Sequence, residues 1–486
     1  MRKNPLKKTL TGALLGGFAV FFFLTWVPAE ELQTPAADPG RVLALEEFIQ
    51  LSTLHDTEFE QILIDELTLK YEYDRQLPAR DLILSVKHQH EFFLNQDRDS
   101  PDTTVGLSKL FPYTGTQATL EYEVGRSVSS DNESSSASFT IAQPIAQNAF
   151  GRSTRLLKKI VGLEVDVARY QIVEAYEDYL ATIMTAYYTW YEDYENLLIG
   201  RSSYRENQKL LDNINERARQ KVALPIDVNK VRIQVLSKKE TLVELEEKYK
   251  NSLHVIERMI RYKAEEPLIP QEPSDRGAPA GDFGGEFTMF SQASRTFEIL
   301  RKLEERSTLQ VDRDADALLP SIDLLVGYEL SGQKYDVRDN NDLLFAGVSV
   351  EWPFPDQVDR AEWEVSRILV DKRRLITTNT YYKLYTQLLN LYLQIEREKQ
   401  LVDIAHEQIA LADDILSDET ENYSFGRVSL NDYIQAVNVR DSTLFSQVRH
   451  ESQYKKLLVE WLRLNDQLVS AQDIRDQYPG AKPKTP

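Results

Sequence analysis

Residues 180–197 read LATIMTAYYTWYEDYENL, and their spacing decides what kind of chain this is. Leu180, Ile183, Tyr187, Trp190, Tyr194 and Leu197 recur at alternating steps of three and four residues. Such a 3.5-residue repeat keeps one stripe of a helix against its neighbour, which is the seam of a left-handed coiled coil. The same steps return in Val228, Val231, Val235, Lys238, Leu242, Leu245, Tyr249, Ser252, Ile256 and Met259. The first seam lies in a helical stretch from Gly151 to Arg219, which at 1.5 Å per residue predicts a rod of about 100 Å. Gln357 to Tyr423 predicts a second rod of nearly equal length. These stripes pack helices together and need no cofactor.

Outward from the rods, one unit is written twice. Each half opens with a helical stretch closed by a Leu-Pro pair, Leu77-Pro78 and Leu319-Pro320. Strands follow, Asp81 to His90 and Ser321 to Leu330. A further strand in each half ends in a Pro turn, Ile141-Ala142-Gln143-Pro144-Ile145 and Val350-Glu351-Trp352-Pro353-Phe354. Then come a basic residue (Arg152, Arg360), the rod, and a short reversal: Lys221-Val222-Ala223-Leu224 or Arg427-Val428-Ser429-Leu430. Return helices run to about residue 264 and about residue 470. A period this long exceeds any solenoid unit and marks a tandem duplication. The expected organisation is a targeting segment over 1–29, a first repeat over 30–266, a Pro/Gly-rich linker over 267–285, a second repeat over 286–470, and a disordered tail over 471–486.

The strands alternate. Ala118, Leu120, Tyr122 and Val124 share one face, with Gln117, Thr119, Glu121 and Glu123 on the other. In the second half Ile322, Leu324, Val326, Tyr328 and Leu330 share a face, as do Ala346, Val348, Val350 and Trp352. A lipid-facing barrel wall needs this pattern, and a half-buried soluble sheet also produces it. Strands attached to such rods have no core of their own to cover, which favours the membrane. A further pair, Thr103 to Gly125, turns at Phe111-Pro112-Tyr113-Thr114-Gly115. It is expected to extend the β-region at or beyond the membrane, to be dispensable for assembly, and to lead into a loop-like Ser127 to Ser138.

Composition excludes much else. There are 57 Lys+Arg against 77 Asp+Glu, a net charge of −20, and no Cys. An acidic chain repels phosphate backbones, so nucleic acid is not an expected partner. The lack of Cys removes disulfides, thiolate metal sites and cysteine nucleophiles. Arg2, Lys3, Lys7 and Lys8, an apolar run from Leu10 to Val27, and Val27-Pro28-Ala29 have the order of a secretory signal. Beyond residue 30 no apolar run is long enough for a transmembrane helix. His88 and His90 are spaced as metal ligands on one strand face but have no clear third ligand, so no metal is expected. The acid pairs Asp413-Asp414 and Glu246-Glu247 read as solvated helix faces. No phosphate loop, dinucleotide fingerprint or nucleophile elbow is present, and no enzyme is expected.

Paired strands, long helix, tight reversal and return helix, written twice, make the chain resemble the TolC-like outer-membrane efflux proteins from about Leu43 to about Leu468. The residues carrying this are Gln143-Pro144-Ile145 with Gly151-Arg152, the Trp352-Pro353-Phe354 turn, and the reversals. Tyr423-Ser424-Phe425-Gly426, with Asp432 six residues after the Gly, resembles the family's periplasmic tip, and Asp227-Val228 the equivalent tip of the first half. The resemblance implies a mainly α fold with a small β part. Three copies would build one tube, an α-barrel of antiparallel coiled-coil helices in the periplasm and a trimeric transmembrane β-barrel in the outer membrane of a Gram-negative bacterium. It implies a passive channel of a tripartite efflux or type I secretion system for small molecules or proteins. The implied partners are a periplasmic adaptor (membrane fusion) protein and an inner-membrane pump, with no cofactor. Asp227, Tyr423, Arg427 and Asp432 become aperture residues, and Val222, Ala223, Phe425 and Gly426 adaptor contacts. The chain departs from the family where Lys221-Val222-Ala223 replaces a usual Gly and Pro225 follows. The family's gating Arg falls at Val428 beside Arg427, and a second tip acid falls at Gln435. The Thr103–Gly125 hairpin has no place in the family plan of four strands per subunit. The alternative is an exported, non-conducting coiled-coil spacer or adhesin anchored by an uncleaved N-terminal helix.

Overall fold

The structure is a computed structural model that describes residues 40–78, 81–92, 99–126, 133–262, 266–274, 277–333 and 336–469. The segment over 1–29, expected to be a targeting segment, and the tail expected over 471–486 lie outside the described residues. The first half contains β1 (Arg41–Leu43), α1 (Leu45–His55), α2 (Thr57–Gln76), β2 (Leu82–Phe92), β3 (Asp99–Phe111), β4 (Thr116–Arg126), β5 (Glu133–Pro144), α3 (Arg152–Arg219) and α4 (Pro225–Ile260). The second contains β6 (Leu268–Pro270), α5 (Phe283–Ala293), α6 (Arg295–Ala317), β7 (Ser321–Gln333), β8 (Asp336–Glu351), α7 (Val358–Ser424) and α8 (Leu430–Leu464).

The rods are continuous, 68 residues in α3 and 67 in α7. Their seams are buried where the spacing places them: Leu180, Ile183, Tyr187, Trp190 and Leu197 on α3, and Val231, Val235, Leu245, Ile256 and Met259 on α4. The longer helices pack side by side in a single layer, on which the short α1 and α5 are laid. Near the reversals the order is α4–α3–α8–α7, and near the strands it is α2–α3–α6–α7. The main core lies midway, where Phe48 of α1, Tyr187 and Trp190 of α3, Ile256 of α4 and Leu268 of β6 meet. Tyr187 Oη lies 2.7 Å from the Leu43 and Gln271 carbonyls and accepts the Gln271 N–H at 3.0 Å. That hydroxyl ties the parallel pair β1–β6 to α3. A second cluster joins Phe287 and Phe290 of α5 to Leu388, Leu391 and Ile395 of α7 and Trp461 of α8. The Pro/Gly-rich piece over 267–285 is laid along the helices: it contains β6 and the start of α5, and the Pro273 carbonyl accepts from Lys455 Nζ at 2.8 Å.

The halves also meet in a buried charge cluster. Arg295, at the start of α6, pairs with Glu174 (3.3 Å) and Asp466 (3.2 Å) and also with Glu177, whose side chain is 1% exposed. Burial, reinforced by the Asp466 carboxylate, pushes the Glu174 carboxyl up to about 7. The three acids converge closely enough to chelate a cation, but the Arg295 guanidinium already supplies positive charge among them.

The six longer strands form one antiparallel sheet in the order β2-β3-β4-β5-β7-β8. Two expectations change here. Thr103 to Gly125 forms β3 and β4 inside the sheet, so the described residues of one chain give six strands there and not four. Glu133 onward, expected as part of a loop, is strand β5, because it finds ladder partners on both sides, in β4 and in β7. The register aligns Leu84, Leu107, Leu120, Phe139, Tyr328 and Leu344 across one face. Neighbouring rows on that face carry Val86, Val105 and Tyr122, or Ile141, Val326 and Ala346. The opposite face carries Ser85, Thr104, Ser108, Thr119, Glu121, Glu123, Ser136, Ser138 and Glu329.

Candidate functional site

Both helix reversals use one backbone solution. A helix end that turns needs a residue in the left-handed region, which frees the next N–H to reach back to an orphan carbonyl. At the second reversal this residue is Gly426 (φ +70°), and the Arg427 N–H donates to the Asn422 carbonyl at 2.9 Å. At the first it is Lys221 (φ +59°), and the Val222 N–H donates to the Arg217 carbonyl at 2.9 Å. The missing Gly is therefore replaced by a lysine in the same conformation.

The return helices begin alike. Asp432 Oδ2 accepts the Ser429 N–H at 3.2 Å and the Ser429 hydroxyl at 2.7 Å, while Ser429 Oγ accepts the Asp432 N–H at 3.3 Å. Asp227 Oδ2 accepts the Leu224 N–H at 3.3 Å. Within one copy both carboxylates sit three residues into their helices as capping groups, satisfying donors that no helical carbonyl can reach. Asp432 and Arg427 are exposed, and Asp227 is half-buried.

Tyr423 joins the two hairpins. Its ring stacks on Tyr433 at 5.3 Å, and the Arg217 guanidinium lies 4.8 Å above it. Around it pack Leu210, Ile214, Val231 and Val235 of the other hairpin. Burial raises the Tyr423 hydroxyl above the ordinary phenol range, and Arg217 works in the opposite direction. Arg427 instead lies over the Phe425 ring, 5.1 Å from its centre. Arg217 and Tyr433 escaped the sequence reading because they reach Tyr423 across space, with no local spacing to announce it. Further up, Asp441 is buried between the hairpins, bonded to Lys238 Nζ at 2.7 Å and to the Ser203 hydroxyl. The reversals expose apolar side chains beside the charged Lys221 and Arg427: Val222 is 73% exposed and Phe425 64%, with Leu224 and Ile226 exposed beside them and Ala223 half-buried.

At the opposite end His88 and His90 share the apolar face of β2, their rings 6.5 Å apart, and His88 Nδ1 lies 2.8 Å from Thr103 Oγ1. Where the strands meet the helices, Phe111, Tyr113, Phe150, Trp352 and Phe354 are all exposed.

Neither a protein-family model nor a curated protein matches the chain. Solved structures do match. The CmeC outer membrane channel of Campylobacter jejuni superposes with a TM-score of 0.66 at 13% identity, covering 90% of this chain and 89% of that one. The VceC outer membrane protein of Vibrio cholerae gives 0.64 at 12% identity over 87% and 95%. The open state of the MtrE outer membrane channel of Neisseria gonorrhoeae gives 0.65 at 12% over 87% and 88%. The fold of this chain is the TolC-like outer-membrane-channel fold.

Proposed function

We propose that copies of this chain assemble head to tail into a passive conduit through the outer membrane and into the periplasm. The carrying observation is that three tiers stay open on the same two sides. The sheet ends in β2 and β8, the strand-side helix layer in α2 and α7, and the tip-side layer in α4 and α7. In each, a first-half element forms one border and a second-half element the other. β2 and β8 run in opposite directions, so β8 of one copy can continue the antiparallel ladder onto β2 of the next. The bordering helices carry second apolar seams: Ile226, Ile233, Leu236 and Val243 on α4, and Leu375, Tyr382, Ile404, Leu411 and Ile415 on α7, all exposed in a single copy. An open sheet with an apolar face cannot stand in lipid, whereas a closed ring leaves no unpaired edge.

The ring is a homotrimer, by the likeness in fold. The apolar sheet face meets lipid, and the exposed aromatics at the strand–helix junction suit the lipid–water boundary. A periplasmic adaptor docks on the tip at Val222, Ala223, Phe425 and Gly426, and an inner-membrane pump drives export. Tyr423, Asp227, Arg427 and Asp432 line the aperture, where three-fold symmetry gathers each carboxylate into a ring that draws cations. Sedimentation in detergent and membrane fractionation test the assembly, which a stable monomer or an inner-membrane location would overturn. For the aperture, Tyr423→Phe with Asp227→Ala should raise single-channel conductance in planar bilayers, and Asp432→Ala should weaken block by divalent cations from the tip side. Unchanged conductance and block would leave these residues as caps alone.

A further inference from the structure

The inserted hairpin bears on how wide the conduit is where it leaves the cell. β3 and β4 are built into the protein at the lower end of the sheet. The Tyr113 carbonyl accepts from Arg155 Nη1 at 2.9 Å, the Tyr113 hydroxyl from Lys158 Nζ at 2.7 Å, and the Thr114 carbonyl from Gln143 Nε2 at 2.9 Å. Gly151 (φ +75°) lets this turn approach so closely that a Cβ there would lie 2.4 Å from the Tyr113 carbonyl oxygen. The turn is thus fastened to the end of β5 and to the first two turns of α3, the main rod.

Six strands at about 4.8 Å, tilted by about 40°, span an arc of about 37 Å of barrel wall. Four helices at about 9 Å span about 36 Å of tube wall. The two arcs agree in each copy, whatever the number of copies, and without β3 and β4 the strand arc would shrink to about 25 Å. On the trimeric reading proposed above, we infer that the hairpin widens the membrane barrel to the bore of the helical tube. Six strands from each of three copies make eighteen. Such a barrel has a backbone diameter of about 35 Å and, after about 5 Å of side chain on each wall, a free bore of about 25 Å. A bore of that width takes a polypeptide up to two helices across, each helix about 10–12 Å wide.

Electron cryo-microscopy of the full-length protein extracted in detergent should show a three-fold ring with eighteen strands and an untapered wall. A three-fold ring of twelve strands, with residues 99–126 outside the wall, overturns the inference and leaves the channel reading intact. A monomer, or no ring, overturns both. As a second measurement, polyethylene glycol about 20 Å across, added at the outer mouth in planar bilayers, should enter and lower conductance. A variant lacking residues 99–131, in which β2 connects to β5 as β7 does to β8, should exclude it. Exclusion from the unmodified channel overturns the inference even if that variant fails to assemble.

Discussion

The two halves follow one plan with different fastenings, and the numbering shows where they part. From α1 to α5, and from α2 to α6, the offset is 238 residues; from Lys221 to Gly426 it is 205. The drop of 33 falls within the sheet, where the first half carries β3 and β4 and the second half runs directly from β7 to β8. A duplicated unit has therefore diverged most in the strands and least in the rods. A strand pair can enter a sheet without disturbing either neighbour's ladder, whereas an insertion within a coiled coil shifts every seam residue after it.

The largest expected contrast lies at the junctions between the short and long helices of each half. In the second half this junction rests on Arg295 among Glu174, Glu177 and Asp466. In the first it rests on Asp56, which caps α2 through the Glu58 N–H at 3.1 Å and accepts from Tyr179 Oη at 3.0 Å. Arg295→Ala should cost about 3–5 kcal/mol, since it strands buried carboxylates. Asp56→Ala should cost about 2 kcal/mol, the loss of a cap and an unmet hydroxyl. Denaturant unfolding in detergent measures both, and equal losses would dissolve the contrast.

Next in size is the hairpin fastening, which has no counterpart among the described residues of the second half. Gly151→Ala should cost about 3 kcal/mol, from left-handed strain together with overpacking against Tyr113. A small effect would mean the β3–β4 turn can lift from α3. The two reversals give a smaller, signed pair. Gly426→Ala should destabilise by about 1 kcal/mol, and Lys221→Gly should stabilise by about 1 kcal/mol, because one adds and the other removes a side chain at positive φ. If Lys221→Gly gained nothing, the lysine would be held there by contacts of its own.

The smallest effect is in pH. The Glu174 carboxyl is raised in the folded state from 4.5 to about 7, so the folded protein holds a proton that the unfolded chain releases first. This group's contribution to stability is greatest below pH 4.5, falls as pH rises towards about 7, and is flat above. Glu174→Gln should flatten the slope between pH 5 and 7 in unfolding measured across that range. An unchanged slope would assign the titration to another group.

How much of this could be read without coordinates depends on the range over which each feature is encoded. Rods, reversals and the tandem repeat were legible, because a heptad seam repeats every few residues and a duplicated Pro turn sits at a countable distance. The hairpin was legible as strands but not as interior strands of the sheet. Thr103–Gly125 alternates equally well as an outlying hairpin or as the middle of a sheet, and only the pairing of β3 to β2 and β4 to β5 distinguishes the two. At the tip, Tyr423 and the acids stood out from the resemblance, while Arg217 and Tyr433, with no distinctive spacing around them, did not.

By itself the chain's order of residues determined the local elements and their repetition, since helix seams, caps and strand alternation depend on neighbours a few positions apart. Tertiary structure alone decided the sheet order, the seating of Arg295 among three acids, the lysine that takes a glycine's place, and the two borders left open in every tier. Those depend on which distant surfaces meet, and no period along the chain records that.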